Sequence, residues 1–300
     1  MVVTRCCALA LVLALVGCGG PDAAAPVGGR APTPADAPSD PPGPPPVPPR
    51  VPVPPSAPSG PVRPVAEPVA ETAAAPRARP ADEPPQEAAT GYLEALAATD
   101  DPDRMREGLT LTADGSTAHD LLLHAASVAR ARADGGLDTQ AAALTPTDDG
   151  ARLCPQEGND PDCGEYTDLT GQNGLVTGLH IDGSDPGPSL IVGDGTTADA
   201  QGVGATLITA YRSVVDHTLV VTVEFAALDA VSLDLDGAVY RAADGTEQRT
   251  GAAAGRRELT AQTAAHAVFH FPGALPGGEL SIGGCLAECS ALVDLTLPVG

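Results

Sequence analysis

Proline is unevenly distributed along this 300-residue chain, and that distribution limits where a folded domain can form. Of the 32 prolines, 23 lie between Pro21 and Pro85. Proline fixes φ and lacks an amide donor, so a segment this rich in proline favours extended polyproline II conformation over helix or sheet. We therefore expect residues 18–85 to be a disordered spacer, and the folded part of the chain to begin near Gln86.

The first residues are typical of an export signal. One arginine, Arg5, precedes an apolar stretch of about a dozen residues, which is shorter than the ~20 residues that cross a bilayer. The segment Leu15-Val16-Gly17-Cys18 then resembles the lipobox of bacterial lipoproteins. The resemblance implies a signal peptide over residues 1–17 and acylation of Cys18. It places the protein on the extracytoplasmic side of the cell membrane, anchored by lipid; the alternative is secretion without an anchor.

Four cysteines follow Cys18, and an even number in an exported chain is typical of disulfide bonds. We expect the pairs Cys154–Cys163 and Cys285–Cys289, because each pair lies within one local unit of predicted structure. The alternative is a zinc site with all four thiolates. Neither spacing matches the usual Cys-x2-Cys arrangement, and the two pairs lie far apart in the sequence.

The segment 86–195 begins with helical patterns. Tyr92, Leu93 and Leu96 have helical spacing and predict a helix over residues 87–98, which the sequence Asp-Asp-Pro at 100–102 ends. Apolar residues between positions 121 and 129 predict a longer helix over 116–133, started by a capping box at residues 117–120.

Strand patterns follow these helices. Residues 165–170 and 175–181 flank Asn173-Gly174, a strong hairpin signal, and one face of the second strand carries Leu175, Thr177, Leu179 and Ile181. Helices followed by a strand meander indicate an α+β domain. The element order and the hairpin over 174–183 resemble the NTF2-like (cystatin-like) superfamily, which implies helices packed on a curved antiparallel sheet and brings no active site.

The segment 200–300 is dominated by apolar residues that alternate with polar ones. Short strands at intervals of about ten residues predict an all-β sandwich, with turns at Asp236-Gly237, Asp244-Gly245 and 276–278. The alternating apolar sets that carry this prediction are Leu219, Val221, Val223 and Phe225; Val231, Leu233 and Leu235; Val239 with Tyr240; Ala267, Phe269 and Phe271; Leu280 and Ile282; and Val293, Leu295, Leu297 and Val299.

Three stretches of this segment, at 239–245, 258–263 and 268–272, resemble the immunoglobulin-like modules of bacterial surface lipoproteins. In those modules a tyrosine-containing strand and an Asp-Gly turn precede a strand that ends in Phe-Pro, here Phe271-Pro272. Gln262 stands where the family usually has glycine. The whole chain is similar to lipoproteins of GC-rich bacteria, actinobacteria among them, which implies a location and not a reaction.

Composition excludes several classes of function. The formal net charge is −23, so the chain has no electrostatic attraction for nucleic acid or for an anionic membrane surface. All 16 basic residues are arginine, so lysine-dependent chemistry such as P-loop phosphate binding or Schiff-base formation is absent. Aromatic residues make up only 2% of the chain, too few for a platform that stacks bases.

Only weak candidates for a chemical site remain. Ser213, Asp216 and His217 are the residue types of a hydrolytic triad, but they lie within one turn and lack a nucleophile elbow. His266 and His270 share a strand face about 13 Å apart, and His119 and His124 point away from a common helix face, so neither pair is expected to bind metal. Carboxylates in loops can bind Ca²⁺, and the weak candidates are Asp160, Asp162, Asp234 and Asp236.

The sequence therefore predicts a membrane-anchored lipoprotein that carries a binding or structural module of the cell envelope. We expect no catalytic residues, no cofactor and no nucleic-acid partner. The partners would be membrane lipid, through Cys18, and a protein or cell-wall component of the envelope. Two alternatives stay open: a cell-envelope hydrolase, and an adhesion module that Ca²⁺ stabilises.

Overall fold

A computed structural model describes residues 83–156 and 163–300. The expected signal peptide, Cys18, nearly all of the expected spacer, and the Ca²⁺ candidates Asp160 and Asp162 lie outside the described residues. The described part is mostly antiparallel β-sheet in a sandwich-like arrangement, with a few helices.

Three α-helices open the described chain: α1 (Gln86–Ala97), α2 (Pro102–Glu107) and α3 (Thr117–Asp134). The Asp-Asp-Pro sequence separates the first two as predicted, because Asp101 accepts a hydrogen bond from the Arg104 amide and Pro102 occupies the first turn. The capping box predicted at residue 117 is wrong by one position. Ser116 caps α3 and accepts from the His119 amide at 3.3 Å.

Fifteen strands form three antiparallel sheets within the described ranges. The first sheet has the order β1-β2-β3-β4; the second has β11-β13-β8-β7-β5, with β6 also paired to β7; the third has β10-β9-β14-β15, with β12 also paired to β9. The strands are β1 (Ala143–Thr147), β2 (Gly150–Cys154), β3 (Gly164–Gln172), β4 (Leu175–Ile181), β5 (Leu190–Val192), β6 (Thr197–Ala200), β7 (Val203–Arg212), β8 (Thr218–Ala227), β9 (Val231–Arg241), β10 (Glu247–Arg249), β11 (Ala252–Gly255), β12 (Glu258–Leu259), β13 (Thr263–Pro272), β14 (Gly278–Leu286) and β15 (Leu292–Val299).

The second and third sheets form the sandwich, and one apolar core joins them. Alternation places the predicted apolar sets in this core: those of β8, β13, β14 and β15 are buried throughout. The short strands β5 and β6, which precede residue 200, pair with β7 and so extend the second sheet. The hydrophobic effect acting on these alternating residues is the main stabilising term for the sandwich.

Two details of the predicted alternation are wrong, and each failure coincides with irregular strand pairing. In β4 the buried residues are Val176, Leu179 and Ile181, because the pairing of β3 with β4 shifts register near Thr170. The turn predicted at Asp236-Gly237 lies inside the continuous strand β9, where pairing with β14 also shifts. A register shift exchanges the two faces of a strand, so a pattern of period two cannot continue through it.

Helix α3 lies between the first sheet and the outer face of the second. On one side it shares a core with α1, α2 and the first sheet. On its other side it contacts β13, β7 and β11 of the second sheet. Its C-terminal end comes so close to β11 that a Cβ atom on Gly135 would lie 2.8 Å from the Gly255 nitrogen.

The four cysteines pair as expected from the sequence. Cys154 and Cys163 lie at disulfide distance beside the first sheet, with Cα atoms 4.2 Å apart. Cys285 and Cys289 form the second pair, with Cα atoms 4.8 Å apart, at the end of β14. Both pairs close short local loops, consistent with disulfide bonds in an oxidising compartment.

The Tyr240 hydroxyl connects the two ends of the turn that precedes β14. It donates a hydrogen bond to the Leu275 carbonyl at 2.7 Å and accepts one from the Gly278 amide at 2.9 Å. We expect Tyr240→Phe to lower the free energy of unfolding by about 1–3 kcal/mol, because two polar backbone groups lose their partner. Urea denaturation measures this.

Tyr166→Phe is the matched control for this experiment. It removes the same atom, yet the Tyr166 hydroxyl has no hydrogen bond to any residue in the described ranges. We expect a change below about 0.5 kcal/mol. Equal losses in the two variants would contradict the role given to Tyr240.

Candidate functional site

A cavity of about 400 Å³ lies between α3, α1, the first sheet and the outer face of the second sheet. Such a volume is at the small end of the range for sites that bind small molecules. Its lining is mainly apolar. The larger aliphatic side chains in the lining are Leu96, Leu121, Val128, Leu153, Ile181 and Val220. Polar groups enter the same cavity from several elements, which makes it the candidate functional site.

Helix α3 supplies one wall through a single face. The wall residues are Leu121, the adjacent pair His124 and Ala125, Val128 and Arg132. Steps of three or four residues connect them along the helix, so their side chains project from one side. Leu121, Ala125 and Val128 belong to the apolar stripe predicted from sequence. From the sequence, His124 was weighed only as a metal ligand. Its position three residues after Leu121 also predicts that it lies on this apolar face of the helix.

His124 is almost fully buried in this wall. Its Nδ1 is 2.8 Å from the Thr209 hydroxyl, and its ring meets the Tyr211 ring edge-on at 5.5 Å between centroids. Burial lowers the pKa of His124 to about 3, with a smaller contribution from nearby His270. The imidazole is therefore neutral at physiological pH.

His270 lines the cavity from β13, on the opposite side. Its pKa is also lowered, first by burial and then by the positive charge of Arg132, against a smaller opposing effect of Asp216. Two neutral histidines thus lie in one cavity. Sequence analysis placed His266 and His270 on one strand face, but could not show that α3 covers that face.

Two tyrosines from different sheets complete the polar part of the lining. Burial raises the pKa of Tyr166, on β3, to about 12, and burial likewise raises the pKa of Tyr211, on β7. Both phenols are protonated at neutral pH. The Tyr211 oxygen accepts a hydrogen bond from the Val214 amide at 3.3 Å, which leaves its own proton available to another acceptor.

The loop between β7 and β8 borders the cavity with Ser213 and the exposed Asp216. Ser213 Oγ accepts from the amides of Val215 and Asp216, both at 3.3 Å, so it stabilises the turn. Partial burial raises the pKa of Asp216, but hydrogen bonds from Ser213 and Thr218 outweigh this effect and hold it below its ordinary value. Asp216 is therefore anionic.

This loop also holds the residues of the hydrolase alternative. Ser213 and Asp216 line the cavity together with His270, whereas His217 is exposed on the turn with φ 60°. Across residues 83–156 and 163–300, no hydrogen bond joins Ser213 Oγ to a histidine ring. A serine nucleophile needs such a bond to its base, and the turn amides already occupy this oxygen.

The remaining candidates lie apart from the cavity. Asp236 accepts from the Arg257 guanidinium at 3.0 Å, and Asp234 accepts from the Gly237 amide at 3.0 Å. His119 lies beside Asp120 at 3.2 Å, five residues before His124 and on a different face of α3. Within the part of the chain that the structure describes, no three His, Cys, Asp or Glu side chains form a group that could hold a metal ion.

Comparison with known proteins adds no family: no protein-family model and no curated protein matches the chain. The cavity and the residues that line it are therefore the features that bear on function. None of the helices in the described ranges is both long and apolar enough to cross a membrane.

The buried neutral histidine makes stability depend on pH. Below pH 6.5 the unfolded chain protonates His124, whereas the native state does not until about pH 3. Stability is thus lost as the pH falls through this window, by about 1.4 kcal/mol per unit, or about 2–3 kcal/mol by pH 4.5. We expect His124→Gln, which cannot titrate, to lose that much less stability than wild type between pH 7.5 and 4.5 in urea denaturation.

His180→Gln is the control, since 41% of the His180 side chain is exposed and, among the described residues, its ring is bonded only to the Asp168 carboxylate. Its pH dependence should follow that of wild type more closely than His124→Gln does. The interpretation fails if His124→Gln loses as much stability as wild type over the same pH interval.

Proposed function

We propose that this chain is a lipid-anchored protein of the cell envelope whose described part is a non-enzymatic module that binds a small molecule. The observation that carries the binding role is the cavity of about 400 Å³ beside α3, with its apolar lining and convergent neutral polar groups. A few placed polar groups in an apolar concavity are typical of small-molecule sites. The lipobox at residues 15–18 and the expected spacer support the location.

The chemistry of the lining favours binding over catalysis. General acid–base catalysis is most efficient when the pKa of the catalytic group is near the working pH. The pKa of His124 is about 3 and that of Tyr166 about 12, so both groups keep one protonation state across the physiological range. Such groups orient a ligand by hydrogen bonds and do not readily exchange protons with it.

The finer fold assignments are part of this proposal. The core between the second and third sheets supports an immunoglobulin-like sandwich over residues 200–300. The buried tyrosine Tyr240, which bonds to backbone groups at a strand junction, is a feature such sandwiches use. Helices α1–α3 on the four-stranded first sheet support an NTF2-like domain over residues 86–195.

The anchor is tested by Cys18→Ala. Without the thiol that carries the acyl chains, the protein should move from the membrane fraction to the soluble fraction, because two or more chains are what hold it in the bilayer. Fractionation and intact-mass analysis measure this. The double variant Cys285→Ala/Cys289→Ala is the control, since it removes two cysteines and leaves Cys18 in place. Undiminished membrane association of Cys18→Ala would refute the anchor.

The binding role is tested by filling the cavity. Ala125 is half-buried on the cavity face of α3, so Ala125→Phe should occupy part of the volume. With N-phenyl-1-naphthylamine, a neutral fluorescent probe, we expect a blue-shifted fluorescence increase in wild type and at least fivefold weaker binding by Ala125→Phe.

The matched control is Ala133→Phe, which adds the same side chain to the exposed face of the same helix. It should bind the probe as wild type does. A wild-type chain that gives no fluorescence increase would argue against the binding role, and so would equal binding by both variants.

A further inference from the structure

The hydrogen-bond network behind His124 determines which ring nitrogen carries its proton. Thr222 Oγ1 lies 2.7 Å from Thr209 Oγ1 and 3.2 Å from the Thr209 carbonyl oxygen, and it accepts from the Thr209 amide at 3.1 Å. The Thr209 hydroxyl in turn lies 2.8 Å from His124 Nδ1. Five polar groups, counting the Thr209 amide and carbonyl separately, thus form one buried chain of contacts.

Only one arrangement of protons uses every contact in this chain. In this arrangement the Thr222 hydroxyl donates to the Thr209 carbonyl, and the Thr209 hydroxyl donates to Thr222 Oγ1. The Thr209 hydroxyl oxygen then accepts from His124 Nδ1–H. In the opposite arrangement the Thr209 hydroxyl donates to His124 Nδ1 and the Thr222 hydroxyl donates to Thr209 Oγ1. No proton is then left for the contact between Thr222 Oγ1 and the Thr209 carbonyl oxygen. Buried polar groups favour the arrangement with the most hydrogen bonds, so His124 carries its proton on Nδ1.

The other ring nitrogen, Nε2, is then an acceptor. Within the described ranges it has no hydrogen-bond partner, although His124 is only 5% exposed and lines the cavity. The Tyr166 hydroxyl is a protonated donor that likewise has no partner in those ranges. The cavity lining therefore presents one free acceptor and one free donor among the described residues, and a head group with both a donor and an acceptor would complement them.

The charges on the cavity lining are few and opposite in sign. Asp216 is exposed at the rim and Arg132 is half-buried, while His124, Tyr166 and Tyr211 carry no charge. A charged head group held by His124 and Tyr166 would exchange its hydration for two uncharged partners, which is costly in a buried site. A neutral head group loses only hydrogen bonds that the cavity can replace.

We propose that this cavity binds an uncharged amphiphile, a molecule with an apolar body and a head group, such as a primary carboxamide, that donates one hydrogen bond to His124 Nε2 and accepts another from Tyr166. This rests on the binding role proposed above and adds the ligand class. The amide nitrogen is the donor to His124. The amide carbonyl accepts from the Tyr166 hydroxyl, and the apolar chain lies against Leu121 and Val128.

The test compares four probes that share one tail: octanamide, N,N-dimethyloctanamide, octanoate and octylammonium. Titration calorimetry would use the full-length Cys18→Ala chain, so that no attached acyl group competes for the cavity. We expect octanamide to bind roughly tenfold more tightly than the two charged probes. It should also bind roughly 3–10-fold more tightly than the dimethyl amide, which lacks an N–H donor.

Two variants locate the head group. His124→Leu removes the acceptor, so octanamide should lose its advantage over the dimethyl amide. Tyr166→Phe removes the donor to both carbonyls, so it should weaken both amides by a similar factor of roughly 3–10 and preserve their ratio. Thermal denaturation of each variant identifies any loss of folding.

The outcomes separate this inference from the function on which it rests. If none of the four probes binds but the naphthylamine does, the ligand class is wrong and the binding role stands; if the naphthylamine does not bind either, the binding role itself is wrong. If octanoate or octylammonium binds as tightly as octanamide, the cavity is a binding site but the ligand class is wrong. Equal affinity of wild type for the two amides would overturn the proton assignment at His124.

Discussion

The packing of α3 on the outer face of the second sheet determines how the two parts of the described structure meet. One side of the helix belongs to the core that it shares with α1, α2 and the first sheet, and the other side contacts the second sheet, so the helix cannot turn about its axis without exposing apolar residues to water. Asp134, its last residue, accepts hydrogen bonds from the His266 amide at 2.8 Å and from His266 Nδ1 at 3.1 Å. The close approach of Gly135 to Gly255 sets the position of the same helix end. The cavity lies where α3, held in this way, stands between the first sheet and the second.

The sandwich could be predicted from sequence because its strands obey period two. Residues such as Phe225 and Phe269 alternate with polar ones, and each such residue is fully buried. The helix limits and the Asn173-Gly174 turn were predictable for a similar reason: Asn173 and Gly174 both have positive φ, as a tight hairpin turn requires. The failures at Val176 and within β9 come from register shifts, which depend on the partner strand and leave no trace in local periodicity.

The candidate site was much less predictable. Its polar residues come from α3, β3, β7 and β13, which are far apart in the chain, so no spacing rule connects them. His124 and His270 lie 146 positions apart in the sequence, yet both line the same cavity, where burial and then the nearby His270 lower the pKa of His124. The Ser213-Asp216-His217 cluster could be recognised in the sequence because its residues lie within five positions of one another. In the structure the serine and aspartate stabilise a turn, which is the common role of such residues in loops.

The polar end of the cavity depends on one irregularity in β7. Up to Leu207 this strand directs its odd-numbered residues, including Val203 and Ala205, into the sandwich core. The pairing with β8 then shifts between Leu207 and Thr209, and Ala210 takes the core position. Without that shift, Thr209 and Tyr211 would point into an apolar core with no partner for either hydroxyl. With it, both face α3, where Thr209 bonds to His124 and Tyr211 lies against its ring. A bulge that redirects side chains is therefore what joins the sandwich to the cavity.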